Sequence, residues 1–113
     1  MKKPAVILLL ALAGCTTIHG RRAVPDSKIN NIDVWSATAP ARPYEVLATI
    51  EREGADESAT YAQEEAFIAD EAKQRGANAM IIVDTEMVVS RTDANDNRTI
   101  MAPKVEAELI RYQ

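Results

Sequence analysis

The run Thr60-Tyr61-Ala62-Gln63-Glu64-Glu65-Ala66-Phe67-Ile68-Ala69-Asp70-Glu71-Ala72-Lys73-Gln74-Arg75-Gly76, continued by Ala77-Asn78-Ala79-Met80-Ile81-Ile82-Val83, decides the fold. Its first part has the period of an amphipathic helix, expected over residues 58–75. Ala59, Tyr61, Ala62, Ala66, Ile68, Ala69 and Ala72 fall on one arc at 3.6 residues per turn, and Thr60, Gln63, Glu64, Asp70, Glu71 and Gln74 occupy the opposite arc. Thr60 with Gln63 three residues on forms a capping box, and Lys73 and Arg75 complement the negative end of the helix dipole. Gly76 stands where a left-handed residue closes a helix. Alanines on the buried arc let the helix lie close against a sheet. Phe67 interrupts the polar arc: either its ring folds over its neighbours or it is a contact residue for a partner.

Strand patterns flank the helix. Residues 32–37 alternate weakly and hold the only tryptophan, Trp35. After Pro40 and Pro43, residues 44–52 alternate more clearly, with Tyr44, Val46, Ala48 and Ile50 on one face and Glu45, Thr49 and Glu51 on the other. Residues 78–83 are apolar on both faces, as a central strand requires. From Asp84 the chain alternates, with Thr85, Met87 and Val89 opposite Asp84, Glu86 and Ser90. Residues 91–98 read as a polar hairpin loop. A last strand is expected over residues 99–112, with Met101, Val105, Ala107 and Leu109 inward and Lys104, Glu106 and Glu108 outward. Pro103 cannot donate to a ladder, which places it at an edge or a bulge. The expected fold is α+β, in the order β-β-α-β-β: a largely antiparallel sheet with one helix packed on one face.

That arrangement leaves the far face of the sheet to Leu47, Met80, Ile82, Val88 and Ile110. Such a strip is the usual mark of a partner or self-association surface; Phe67, Leu47, Val88 and Ile110 are therefore the candidate partner contacts. The same face gathers Glu45, Glu51, Asp84, Glu86, Glu106 and Glu108, which serve either as a solvated surface or as a site for a hard cation or basic partner.

At the amino terminus, Lys2 and Lys3 precede an apolar run from Ala5 to Ala13 that closes on Leu12-Ala13-Gly14-Cys15. A charged region, a short apolar core and small residues at a cut site are the parts of a secretory signal. The core is far short of the ~20 apolar residues of a spanning helix. The four closing residues resemble the bacterial lipobox, which implies cleavage before Cys15, diacylation of its sulfur and acylation of the new amino terminus. Cys15 is the only cysteine, and a lone thiol in an exported chain has no internal disulfide to make. A single acyl chain, at ~0.8 kcal/mol per buried methylene, binds a bilayer only marginally, whereas several hold it firmly. The expected divisions are a signal peptide over 1–14, a lipidated cysteine and flexible tether over 15–31, and a periplasmic domain over 32–113. Treated as coil, the tether reaches ~20 Å. Thr16 in place of an aspartate after the anchor resembles the sorting signal for the outer membrane. His19, the only histidine, lies in this tether without companions at metal-ligand spacing.

Loss of residues 1–14, with two lysines and no acid, lowers the formal charge from −4 to −6. An acidic surface argues against nucleic acid and against electrostatic binding to anionic headgroups. With 4% aromatic residues, an alanine-rich helix and no disulfide, stability should be modest.

The segment Ala72 to Val83, with Val105 to Tyr112, resembles the YbjQ/RcsF-type small domains, in which a helix ends on Gly-Ala-Asn-Ala and passes into a central strand. The likeness spans residues 44–112 and implies an envelope lipoprotein that reports stress to partner proteins. The cysteine pairs on which RcsF-like domains depend are missing here, so that signalling role does not transfer. The heavy-metal label of YbjQ-like domains meets no thiol or histidine within residues 32–113.

Other chemistry is thinly represented. Asp93-Ala94-Asn95-Asp96-Asn97 begins like a calcium loop, but Arg98 and Lys104 stand where the turn glycine and the bidentate glutamate belong; an Asx-rich turn is the alternative. No nucleophile with an activating base can be assembled. The expectation is therefore a lipoprotein anchored in the outer membrane and facing the periplasm, not an enzyme, without cofactor or metal. It would act as an interaction, structural or stress-related module with a protein partner or a second copy. The alternative is a periplasmic ligand- or cation-binding lipoprotein.

Overall fold

The computed structural model describes residues 20–95 and 97–113. The lipobox with Cys15, and His19, lie outside the described residues. Among the described residues, seven strands and one helix follow in order: β1 (Arg21–Arg22), β2 (Ser27–Ile29), β3 (Ile32–Ser36), β4 (Ala39–Pro40), β5 (Tyr44–Glu53), α1 (Tyr61–Gln74), β6 (Ala79–Asp93) and β7 (Arg98–Tyr112). The main sheet runs β2-β3-β6-β7-β5, antiparallel except where β3 lies parallel to β6, and β1 pairs with β4 in a separate parallel ribbon. The fold is α+β, with a mostly antiparallel sheet and one helix across one face.

Part of the segment read as tether belongs to the domain. Ser27 to Ile29 form an edge strand on β3, turning through Asn30 and Asn31, both with positive φ, and Asp26 accepts hydrogen bonds from Ser36 N (2.8 Å) and Arg22 (2.7 Å). Asparagine tolerates the left-handed region, so a two-residue hairpin forms where the sequence shows only polar residues.

The helix begins as its sequence dictates. The Thr60 hydroxyl accepts from Gln63 N at 3.1 Å and the Gln63 side chain accepts from Thr60 N at 3.0 Å. Gly76, at φ +79°, turns the chain, and Ala77 N donates to Ala72 O at 2.9 Å. Ile68, Ala69 and Ala72 are fully buried against Met80, Val105, Ala107 and Leu109. Ala62 instead faces solvent, and Glu64, assigned to the polar arc, is only 3% exposed.

Three register shifts interrupt the sheet, one in β5 and two in β6, the last between Val89 and Arg91; the first two reassign its faces. In β5 the register against β7 shifts between Val46 and Ala48. Tyr44 and Val46 therefore face away from the helix while Leu47, Ala48 and Ile50 pack beneath it. In β6 the shift between Ile82 and Asp84 puts Met80 and Ile82 on the helix side together with Thr85, Met87 and Val89. An extra residue reverses the alternation of every side chain beyond it. Met80 and Ile82 are core residues, not part of an outer strip.

The far face has a small core of its own. Trp35, Ala39, Tyr44, Ala79, Ile81 and Ile110 are buried together there, flanked by Val46, Val83 and Tyr112. The Trp35 indole N–H donates to the Tyr112 hydroxyl (3.0 Å), which donates to Asp33 Oδ2 (2.6 Å), and the Arg42 guanidinium lies 4.3 Å from the Tyr112 ring centre. Burial, then the bond to Asp33, pushes the Tyr112 phenol up to about 12.

β6 and β7 run further than expected, to Asp93 and from Arg98, and between them Asp93 Oδ1 accepts from Asn95 N at 2.9 Å and Asn97 has positive φ. Pro103 sits in the inner strand β7 where β5 pairing stops: its carbonyl accepts from Gly54 N (2.9 Å), and it has no N–H to return the bond.

Candidate functional site

Phe67 projects from the solvent side of α1 and is 49% exposed. It is not free to fold in any direction. The Arg52 guanidinium carbon lies 4.2 Å from the ring centre, and Arg52 Nε donates to Glu64 Oε1 at 3.2 Å. Glu64 precedes Phe67 by three residues, which brings both to one helix face, and β5 delivers Arg52 from the edge of the sheet. The buried carboxylate fixes the guanidinium, and the guanidinium fixes the ring by cation–π contact. Planar arginine stacks and pairs at once in a way a lysine would not.

The groove around this pair, of about 630 Å³, continues over Gly54, Ala55 and Ser58 to Asp70. Its floor is tight. A Cβ on Gly54 would stand 2.5 Å from the Ala59 Cβ. Ser58 donates from its N (2.9 Å) and Oγ (2.6 Å) to Asp56 Oδ1, which holds the Asp56 carboxyl below its usual range. Arg52 and Glu64 were not singled out in the sequence. The spacing of Glu64 and Phe67 was visible there, but the meeting with Arg52 depends on where β5 lies.

The other candidate contacts fare differently. Leu47 is half-buried beneath the helix at the β5 bulge. Val88 is half-buried on the far face of β6. Ile110 is fully buried in the second core, packed with Trp35 and Tyr44, so it has no surface to offer a partner. The apolar groups that do reach solvent on β6 are Met87 (46% exposed) and Val89 (58%), both on the helix side.

The acidic face forms in register. Glu51, Glu106 and Asp84 stand in one row, with Glu108 between Thr49 and Ile81 in the next. Lys104 reaches Glu86 at 3.2 Å and Glu51 at 3.5 Å, and these partners hold its ammonium above the usual range. Glu45 is not in this group: it pairs with Arg111 at 3.1 Å, and Arg111 lies near Gly76 on the helix side. Glu108 is 7% exposed, its Oε1 has no partner, and burial followed by the charge of Glu106 raises its carboxyl. Among the described residues, no group of three His, Cys, Asp or Glu could hold a metal ion. A cleft of about 490 Å³ opens where β3 ends, between Ser36, Asp84 and Glu65, and burial raises the Glu65 carboxyl.

Among the described residues, no helix is long and apolar enough to cross a membrane. Comparison of the chain with models of protein families, with curated proteins and with solved structures finds no match to any of them.

Proposed function

We propose that this protein is a non-enzymatic interaction module of the bacterial envelope, lipidated at Cys15, held in the outer membrane and facing the periplasm. The Arg52–Phe67 pair carries the interaction reading. A half-exposed aromatic ring braced by an arginine, itself braced by the buried Glu64, is an immobilised contact that loses little side-chain freedom on binding. Aromatic and arginine residues of this kind dominate the energetics of protein interfaces. The acidic side chains of the groove, Glu53, Asp56 and Asp70, suit a protein partner presenting an apolar side chain beside basic ones.

The anchor reading rests on the amino-terminal sequence, and the fold limits its geometry. With β1 starting at Arg21, the five residues from Thr16 to Gly20 span no more than ~18 Å when fully extended. The domain would then work against the leaflet.

The test is capture from intact cells by the full-length lipoprotein and its Phe67→Ala variant. Loss of the captured protein with a melting temperature lowered by no more than a few degrees supports the proposal. Retained capture, or a large loss of stability showing that Phe67 serves the core, overturns it. Intact-mass analysis without acyl mass, or sucrose-gradient fractionation into the inner membrane, overturns the address.

A further inference from the structure

Among the described residues, the sheet leaves β6 without a strand partner on one side once β3 has ended. β3 leaves β6 at Ile82, whose carbonyl accepts from Ala37 N at 2.8 Å. Beyond that point β6 continues to Asp93, bonded to β7 on one side only. The bulge at Val83 fixes which groups point outward. Ile82 faces β3, so after one extra residue the N–H and C=O of Thr85, Met87 and Val89 point away from β7. The two exposed apolar side chains of this strand, Met87 and Val89, belong to those same residues and share the helix side of the sheet.

We infer that a second copy of this chain pairs here, β6 against β6, antiparallel about a two-fold axis at Val88. Three observations lead to that occupant and register. In a two-fold antiparallel pair, residues opposite each other must share a face, which admits only registers centred on a residue. Centring on Val88 sets Met87 opposite the partner's Val89 twice over, so that the outward backbone groups of both residues are satisfied by four hydrogen bonds while their side chains cover one another. Charge agrees: centring on Glu86 would set two glutamates face to face, whereas a pair centred on Val88 ends at Val89, before the register shift that precedes Arg91 and before Ser90 and Arg91, whose side chains donate to Ala55 O. The other edges are blunted. β2 has three residues, and β5 carries the Leu47 bulge and the acids Glu51 and Glu53; short, bulged and charged edges discourage pairing. The dimer goes beyond the proposed partner contact and uses a different surface from Phe67.

The experiment is disulfide trapping of the full-length lipoprotein in cells. Val88 faces its own copy across a non-hydrogen-bonded pair, where Cα atoms are ~4.5 Å apart, within disulfide reach. Val88→Cys should give a reducible dimer, while the unmodified chain and Thr49→Cys, on β5, should not. Adding Val89→Lys to Val88→Cys should cut the trapped dimer at least tenfold while leaving the melting temperature within a few degrees. Sedimentation of the purified lipoprotein in detergent should show twice the chain mass. A monomer throughout, equal trapping at Thr49, or trapping of Val88→Cys to a different polypeptide overturns the inference. Phe67→Ala should leave the trapped dimer intact, so failure of the partner reading and of this one are distinguishable.

Discussion

Replacing Tyr112 by phenylalanine removes one oxygen and two hydrogen bonds. The hydroxyl accepts from Trp35 Nε1 at 3.0 Å and donates to Asp33 Oδ2 at 2.6 Å. The ring that stacks under Arg42 is retained. A neutral hydrogen bond contributes about 0.5–1.5 kcal/mol and one to a charged group about 1.5–3, and a buried donor left alone adds its desolvation cost. Trp35 is 2% exposed, so its indole N–H has no water to turn to. The expected loss is about 2–4 kcal/mol, which in a domain of this size lowers the melting temperature by roughly 10–20 °C. Thermal unfolding followed by circular dichroism measures it, and the emission of Trp35, the only tryptophan, reports whether the indole environment changes. The variant carries a second signature. The Tyr112 phenol is raised to about 12, above the ~10 of an unfolded chain. Between those values the folded state keeps a proton that the unfolded state has released, so stability is whole below pH 10 and falls as pH rises toward 12. Tyr112→Phe should flatten that decline. A melting temperature within about 3 °C of the parent, with unchanged emission and the same alkaline decline, would refute the reasoning.

Glu108→Gln should stabilise the protein at neutral pH. Burial raises the Glu108 carboxyl and Oε1 is unpartnered, so ionisation costs stability as pH climbs from the unfolded carboxylate range through the raised folded value. Below the unfolded range the two proteins should melt together, and a variant no more stable at pH 7 would contradict this. Gly54→Ala places a Cβ 2.5 Å from the Ala59 Cβ, a contact between two short groups that only a shift of the 54–59 turn can relieve. Overpacking of this kind costs about 1–3 kcal/mol, read as a lower urea midpoint; an unchanged midpoint would show that the turn yields freely.

The elements and their caps were legible because they depend on neighbours in the chain. Thr60, Gln63 and Gly76 specify where the helix starts and stops through bonds within a few residues, and the apolar run into Ile82 fits only a central strand. The α+β class follows from those elements. Phe67 was conspicuous because it breaks a period. Faces and partners were another matter. The bulges at Leu47 and Val83 each add one residue and invert the side-chain alternation downstream, so that Thr85, Met87 and Val89 share the helix side on which Met80 and Ile82 are core. Ile110 was placed on the correct side of β7, but the chain around Ala39 and Pro40 returns to bury that side. Glu64 reads as a solvent residue until Arg52 arrives from β5, and the row of Glu51, Glu106 and Asp84 exists only because three strands align.

By itself the sequence determined the helix, the strand candidates and the amino-terminal pattern that resembles a lipobox, since each is written in residues adjacent along the chain. Tertiary structure alone decided which side of each strand is covered, that Ser27 to Ile29 pair with β3, how Phe67 is braced and which strand edge stays open. Those outcomes turn on single-residue register shifts and on meetings between positions far apart in the chain, and no local spacing encodes them.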